Sequence, residues 1–270
     1  MSRSNLITSR RAFTVIELSV VLVIIALLAG ILIVGVREAL RTTRGTAEKQ
    51  FVSVLKLGVE QFREQFGVVP PLVDDAQAFN AGNNFRVPIA GEVAGDNQSV
   101  LRYLTRQVDA ARPRYSERTL PLYILGAGNK EIDGVEGLGF TSVERSGQFS
   151  RRGKPHEPLF AAEREQTRIV VAGTRGEDTR LFDKYVRPRG QPIRYYRWSP
   201  TYFDRTNVTG GAQIGDIKDH NVPPAVGDPA KRGELRSATW AVVSAGPDGA
   251  INDTDANAPE NADNIVEVGQ

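Results

Sequence analysis

The 270-residue sequence contains no cysteine and only two histidines, His156 and His220. Without cysteine there can be no disulfides, no thiolate zinc or iron–sulfur sites and no Cys nucleophile. Two isolated histidines leave almost no material for a multi-histidine metal centre. Proline is absent from residues 13–69 and charge from residues 18–36. With 40% hydrophobic and 24% charged residues, composition is close to the globular average and speaks against a disordered or repeat-dominated chain. The net charge of +2 is an average over unlike segments. Residues 1–12 carry three Arg and no acid, residues 102–205 carry twenty bases against thirteen acids, and residues 206–270 carry four bases against ten acids.

The uncharged run Leu18–Val36 has nineteen residues, about 28 Å as a helix, which matches a hydrocarbon layer of about 30 Å. A cleaved secretory signal is the alternative, with an apolar region of only about 7–15 residues. Here the run continues into a helical pattern. Arg3, Arg10 and Arg11 precede it and place that end in the cytoplasm by the positive-inside rule. Apolar side chains then recur at Phe51, Leu55, Val59, Phe62 and Phe66, one face of a helix. Glu48, Lys49, Lys56, Glu60, Arg63 and Glu64 are expected on the other faces. Gly67, Pro70 and Pro71 form a stop signal. One helix from Phe13 to Phe66 is therefore predicted, apolar all round in its first half and amphipathic in its second. Glu17, at the edge of the apolar run, has two compatible readings. It is a functional carboxylate by default in such a place, or the far end of a Thr14-Val15-Ile16-Glu17 capping box.

The run Arg10-Arg11-Ala12-Phe13-Thr14-Val15-Ile16-Glu17-Leu18 with its apolar span resembles the processing site of type IV prepilins and of the pseudopilins of type II secretion. Ala12 stands where that family nearly always has glycine, and the helix-kinking proline of many type IV pilins is missing. The resemblance implies cleavage between Ala12 and Phe13 by a prepilin peptidase, N-methylation of Phe13, and a role for Glu17 in pairing with a neighbouring subunit's terminal amine. It also implies partnership with other pilin or pseudopilin subunits, an inner-membrane assembly platform and membrane lipid. The chain would cross the inner membrane once, its N-terminus cytoplasmic and its C-terminal domain periplasmic, within a periplasmic or surface filament.

The expected fold is α+β and pilin-like, a long N-terminal helix packed on an antiparallel sheet. Its parts are a leader (1–12), a transmembrane half-helix (13–36), an amphipathic half-helix (37–66) and an extracytoplasmic domain (67–270). Residues 72–100 read as loop, with a short helix near Ser99–Arg106. Strands are predicted at Thr119–Leu125, Arg168–Ala172, Pro192–Trp198 and Ala238–Ser244. The basic middle reads as a solvated or subunit-contacting surface, and no nucleic-acid partner is expected. From Asp248 onward there are six acids and no base. Such an oxygen-rich stretch is either a solvated turn or a calcium loop. Its candidate ligands are Asp248, Asp253, Asp255 and Asp263, and the segment Trp240–Gly249 with the stretch that follows resembles the C-terminal calcium loop of major pseudopilins. Nucleophile-elbow, zincin and P-loop motifs are absent, so a structural subunit rather than an enzyme is expected. A minor type IV pilin, a pilus-tip adhesin and a membrane-anchored extracytoplasmic enzyme are the alternatives.

Overall fold

The computed structural model describes residues 14–73, 75, 115–144, 149–150, 153–185, 190–198 and 222–270. Of the loop expected over 72–100, residues 74 and 76–100 lie outside the described residues, as does the helix expected near Ser99–Arg106. The chain divides into two units, Met1–Arg44 and Gly45–Gln270.

In the first unit the described residues from Val15 onward belong to helix α1, Val15–Phe66. The absence of proline and a closed N-terminal cap let it run without a break. At its far end, in the second unit, Gly67 takes φ 72° and donates its N–H to the Arg63 carbonyl at 2.8 Å. Pro70 and Pro71 then prevent continuation.

The second unit is built around the last turns of α1. Phe51, Val52, Leu55, Val59 and Phe62 are buried, at the spacing of one helical face. Among the described residues six strands follow: β1 (Tyr115–Ser116), β2 (Ile169–Val170), β3 (Arg180–Leu181), β4 (Arg194–Arg197), β5 (Trp240–Ser244) and β6 (Ile265–Gly269). A four-stranded antiparallel sheet has the order β1-β4-β5-β6, and β2 and β3 form a separate antiparallel pair. Strand alternation divides the sheet into two apolar faces. Tyr195, Trp240, Val242 and Ile265 join the α1 stripe in one cluster. Tyr196, Ala241 and Val243 join Ala225, Val226 and Leu235, from the short 3₁₀ turns Pro224–Val226 and Gly233–Arg236, in another. The fold is thus α+β, with helix, sheet and a layer of short turns. Each fully buried Val, Leu or Phe contributes roughly 1.5–3 kcal/mol, so the stripe is a major source of this unit's stability.

Two glycines mark close approaches. A Cβ on Gly58 would lie 2.8 Å from Ile124 Cγ2, and one on Gly269 would lie 2.1 Å from the Trp240 ring, its cross-strand partner. Strand β6 is also tied to α1 by side chains. The Ser53 hydroxyl donates to Glu267 at 2.9 Å, Lys56 pairs with the same carboxylate at 3.4 Å, and Arg63 donates to the Gln270 carbonyl.

Several expectations are corrected. Thr119–Leu125 is not a strand: Pro121–Leu125 forms a single π-helical turn with all five side chains buried. A short, continuous apolar run is equally compatible with a buried strand or a buried helical turn, and periodicity cannot separate them. The expected strands at Arg168–Ala172 and Pro192–Trp198 contract to Ile169–Val170 and Arg194–Arg197, and Ala238–Ser244 becomes Trp240–Ser244. The acidic tail does not remain loop throughout, since it ends in β6. Glu48 does not face solvent. It is 1% exposed and accepts a hydrogen bond from Arg168 Nη1 at 2.5 Å, and Arg168 is itself 2% exposed. The guanidinium also lies 4.0 Å from the centroid of the Phe51 ring.

Removing one partner of a buried pair strands the other charge, at a cost of about 3–5 kcal/mol, whereas replacing both by apolar groups is often nearly neutral. Arg168→Met should therefore lower the unfolding free energy of the full chain in detergent by about that amount. The double substitution Glu48→Met with Arg168→Met should recover most of it, as read by chemical denaturation.

Candidate functional site

Three features carry functional information, beginning with the first turns of α1. From Val15 to Val36 the large apolar side chains are exposed, including Val15 at 83%, Leu32 at 66% and Val34 at 68%. Among the described residues α1 is the one helix long and apolar enough to cross a membrane. A soluble surface seldom carries more than a few hundred Å² of contiguous apolar area, so these turns require lipid or other helices around them. Polar groups along the span are satisfied locally. Ser19 donates to the Ile16 carbonyl at 2.8 Å, as a backbone in hydrocarbon needs of its own side chains.

Glu17 closes a reciprocal cap. The Thr14 N–H donates to Glu17 Oε2 at 2.9 Å, and the Glu17 N–H donates to Thr14 Oγ1 at 3.2 Å. Two of the four orphan N–H groups expected around a helix start are thereby satisfied. The capping reading of the sequence is the one the geometry displays, and it leaves Glu17 available for a second role. Ala12 and Phe13, the expected processing site, lie outside the described residues.

The third feature is the acidic segment between β5 and β6. Its four candidate ligands do not converge, and among the described residues no three Asp, Glu or His side chains group around a common point. Asp253 is committed elsewhere, accepting from Arg194 Nη1 at 2.9 Å and from the Tyr196 hydroxyl at 2.8 Å. Asp255 Oδ1 accepts the Asn257 N–H at 2.9 Å, a local turn. Asn252 and Asn261 wire the loop: the Asn252 N–H donates to Asn261 Oδ1 at 2.9 Å, and Asn261 Nδ2 donates to the Asn252 carbonyl at 2.8 Å. Asp248 and Asp263 are brought together, with the Asp248 N–H donating to Asp263 Oδ2 at 3.1 Å. The other oxygen of Asp263, Oδ1, is buried and accepts no hydrogen bond. Burial, and then the neighbouring Asp248 charge, raise the Asp263 carboxyl above the usual carboxylate range.

Sequence reasoning missed a set of buried titratable groups. Asp183, 3% exposed, accepts N–H bonds from Tyr185 at 3.2 Å and Gln191 at 3.1 Å. It lies close enough to the Glu48–Arg168 pair to feel both charges. Burial, reinforced by the Glu48 charge, pushes Asp183 up to about 6. Asp133, fully buried, accepts the Val135 N–H at 3.0 Å, and burial pushes it up to about 7. Each aspartate orders the loop that contains it. The sequence offered one usable signal, an Asp directly after a large apolar residue, as in Ile132-Asp133 and Phe182-Asp183.

Comparison of the chain with protein-family models, with curated proteins and with solved structures finds no match.

For Asp183 the folded value, about 6, lies above the unfolded one near 3.9. Its contribution to stability is therefore fully present below about pH 4 and is lost as pH rises through about 6. Asp183→Asn, which keeps the two accepted hydrogen bonds and removes the charge, should stabilise the full chain at pH 8 by up to about 3 kcal/mol. It should have little effect at pH 4, and the comparison is made by denaturation at the two pH values.

Proposed function

We propose that this chain is a structural subunit of an envelope-spanning, pilin-like filament, a pseudopilin of type II secretion matured by prepilin peptidase. The observation that carries the reading is the wholly exposed apolar half of α1, opened by the Thr14–Glu17 cap and preceded by Arg10-Arg11-Ala12-Phe13. A helix apolar on every side is stable in lipid and in a bundle of like helices, and a filament subunit must occupy first one and then the other. Cleavage before Phe13 would create an ammonium about one helical turn from Glu17. The carboxylate of one subunit then pairs with the amine of the next where the dielectric is low and an unpaired charge is strongly disfavoured. In this reading the second unit lies in the periplasm, and the partners are other pilin-like subunits, the inner-membrane assembly platform and lipid.

The test is Glu17→Val. The variant should remain in the membrane fraction yet co-assemble into filaments at a small fraction of the wild-type level, measured by shearing and by cross-linking between subunits. Normal co-assembly would sink the role given to Glu17.

The same reading assigns a calcium ion to the acidic segment, held by Asp248 and Asp263. The orphaned, buried Asp263 Oδ1 beside a second carboxylate fits a divalent cation, and calcium accepts main-chain carbonyls and water for its remaining ligands. Asp253 and Asp255 shape the loop instead. With free calcium at about a hundred times its dissociation constant, binding adds about 2.7 kcal/mol. Chelation should then lower the melting temperature of the full chain by about 5–10 °C, and Asp263→Asn should abolish that sensitivity. An unchanged melting temperature in chelator would remove calcium from the proposal.

A further inference from the structure

The turns that follow the apolar run carry three arginines at steps of four and three: Arg37, Arg41 and Arg44. At 100° per residue they fall within about 60° of the helix circumference, forming one stripe. All three are exposed, and among the described residues none has an ion-pair partner. Nearby hydroxyls do not compete for a ligand, because Thr42 and Thr43 donate back to the Glu38 and Ala39 carbonyls at 3.1 and 2.8 Å.

Their depth is fixed by the run they follow. If Leu18–Val36 fills the hydrocarbon, the three Cα atoms stand about 1.5, 7.5 and 12 Å beyond Val36 along the axis. The polar layer on each side of a bilayer is about 5–7 Å thick. Arg37 and Arg41 thus lie at phosphate depth, and the long Arg44 side chain can reach back to it. A guanidinium offers a planar fork that matches phosphate oxygens bidentately. From this placement we infer that Arg37, Arg41 and Arg44 form a docking stripe for the phosphate headgroups of anionic glycerophospholipids. The inference rests on the membrane-spanning reading of α1. It adds a lipid preference that an apolar helix alone would not possess, since acyl chains are alike among lipids of different headgroup.

The stripe also sets the height at which the helix rides. Phosphate contacts on successive turns oppose sliding of α1 along the membrane normal, while leaving its apolar surface free to exchange lipid for neighbouring helices.

The experiment uses the full chain reconstituted in phosphatidylcholine vesicles containing a trace of spin-labelled phosphatidylglycerol or of spin-labelled phosphatidylcholine. Electron spin resonance reads the fraction of each label immobilised at the protein. Each basic residue near a charged headgroup is worth about a fivefold preference, so phosphatidylglycerol should associate at least fivefold more strongly. The triple substitution R37Q/R41Q/R44Q should bring the two labels to parity. R37K/R41K/R44K, which keeps the charge and loses the bidentate fork, should fall between the wild type and the glutamine variant, and 1 M salt should reduce the preference in the wild type. Parity in the wild type, or an undiminished preference in the glutamine variant, would overturn the inference. So would loss of subunit cross-links in that variant with lipid preference unchanged, which would assign the stripe to a second copy of the chain. Release of the wild-type protein by alkaline carbonate would overturn the spanning reading itself, whereas retention without lipid preference overturns the stripe alone.

Discussion

Packing of Phe51, Val52, Leu55 and Val59 against Tyr195, Trp240 and Val242 is the contact on which the second unit depends. Its strands are two to five residues long, too short to be stable without a surface to lie on. The helix provides that surface, and the sheet in turn fixes which side of the helix is dry. Much else follows from the sidedness. Glu48 is buried because it shares the stripe's azimuth, Gly58 lacks a side chain because the Ile124 turn presses on it, and Glu267 meets Ser53 and Lys56 because β6 runs beside α1.

The same helix meets the opposite demand at its beginning, where no side is dry within the chain itself. Between Val15 and Val36 the sequence supplies apolar surface in every direction and returns its few polar groups to its own backbone. Two design rules therefore coexist in one uninterrupted element, and the change from one to the other coincides with the arginines after Val36. Among the described residues, buried charge is found only in the second unit, where Glu48, Arg168 and Asp183 sit within a dense apolar cluster. Such groups seldom add stability relative to apolar replacements. They do specify which loops meet the helix, because no other described residue offers the buried Glu48 carboxylate a guanidinium.

How far the sequence could be read depended on whether a residue's environment was set by near neighbours or by distant ones. The α1 stripe, the Thr14–Glu17 cap and the Gly67–Pro71 stop are local patterns, and each was legible. Strands β4 and β5 were legible because aromatic and β-branched residues cluster there between turn signals. Thr119–Leu125 was misread because an unbroken apolar run carries no period. Glu48 was misplaced because its partner lies 120 positions away. The engagement of Asp253 was not legible because Arg194 and Tyr196, which donate to it, are 59 and 57 positions distant. The end of the acidic tail disguised β6, whose Val266 and Val268 packing faces are separated by Glu267, itself held by α1.

The clasp between Glu267 and Ser53 spans 214 positions of sequence, and it orders events in time as well as in space. Helix α1 leaves the ribosome well before β6, which follows the other described strands in the chain and completes the sheet beside it. Closure over so many residues is entropically slow, and long-range strand pairing is slow for the same reason. Until β6 is made, the stripe from Phe51 to Phe62 therefore remains without its full cover, a period in which it can bind whatever apolar surface is nearest. The exposure of that stripe thus occupies one interval, which ends when β6 docks.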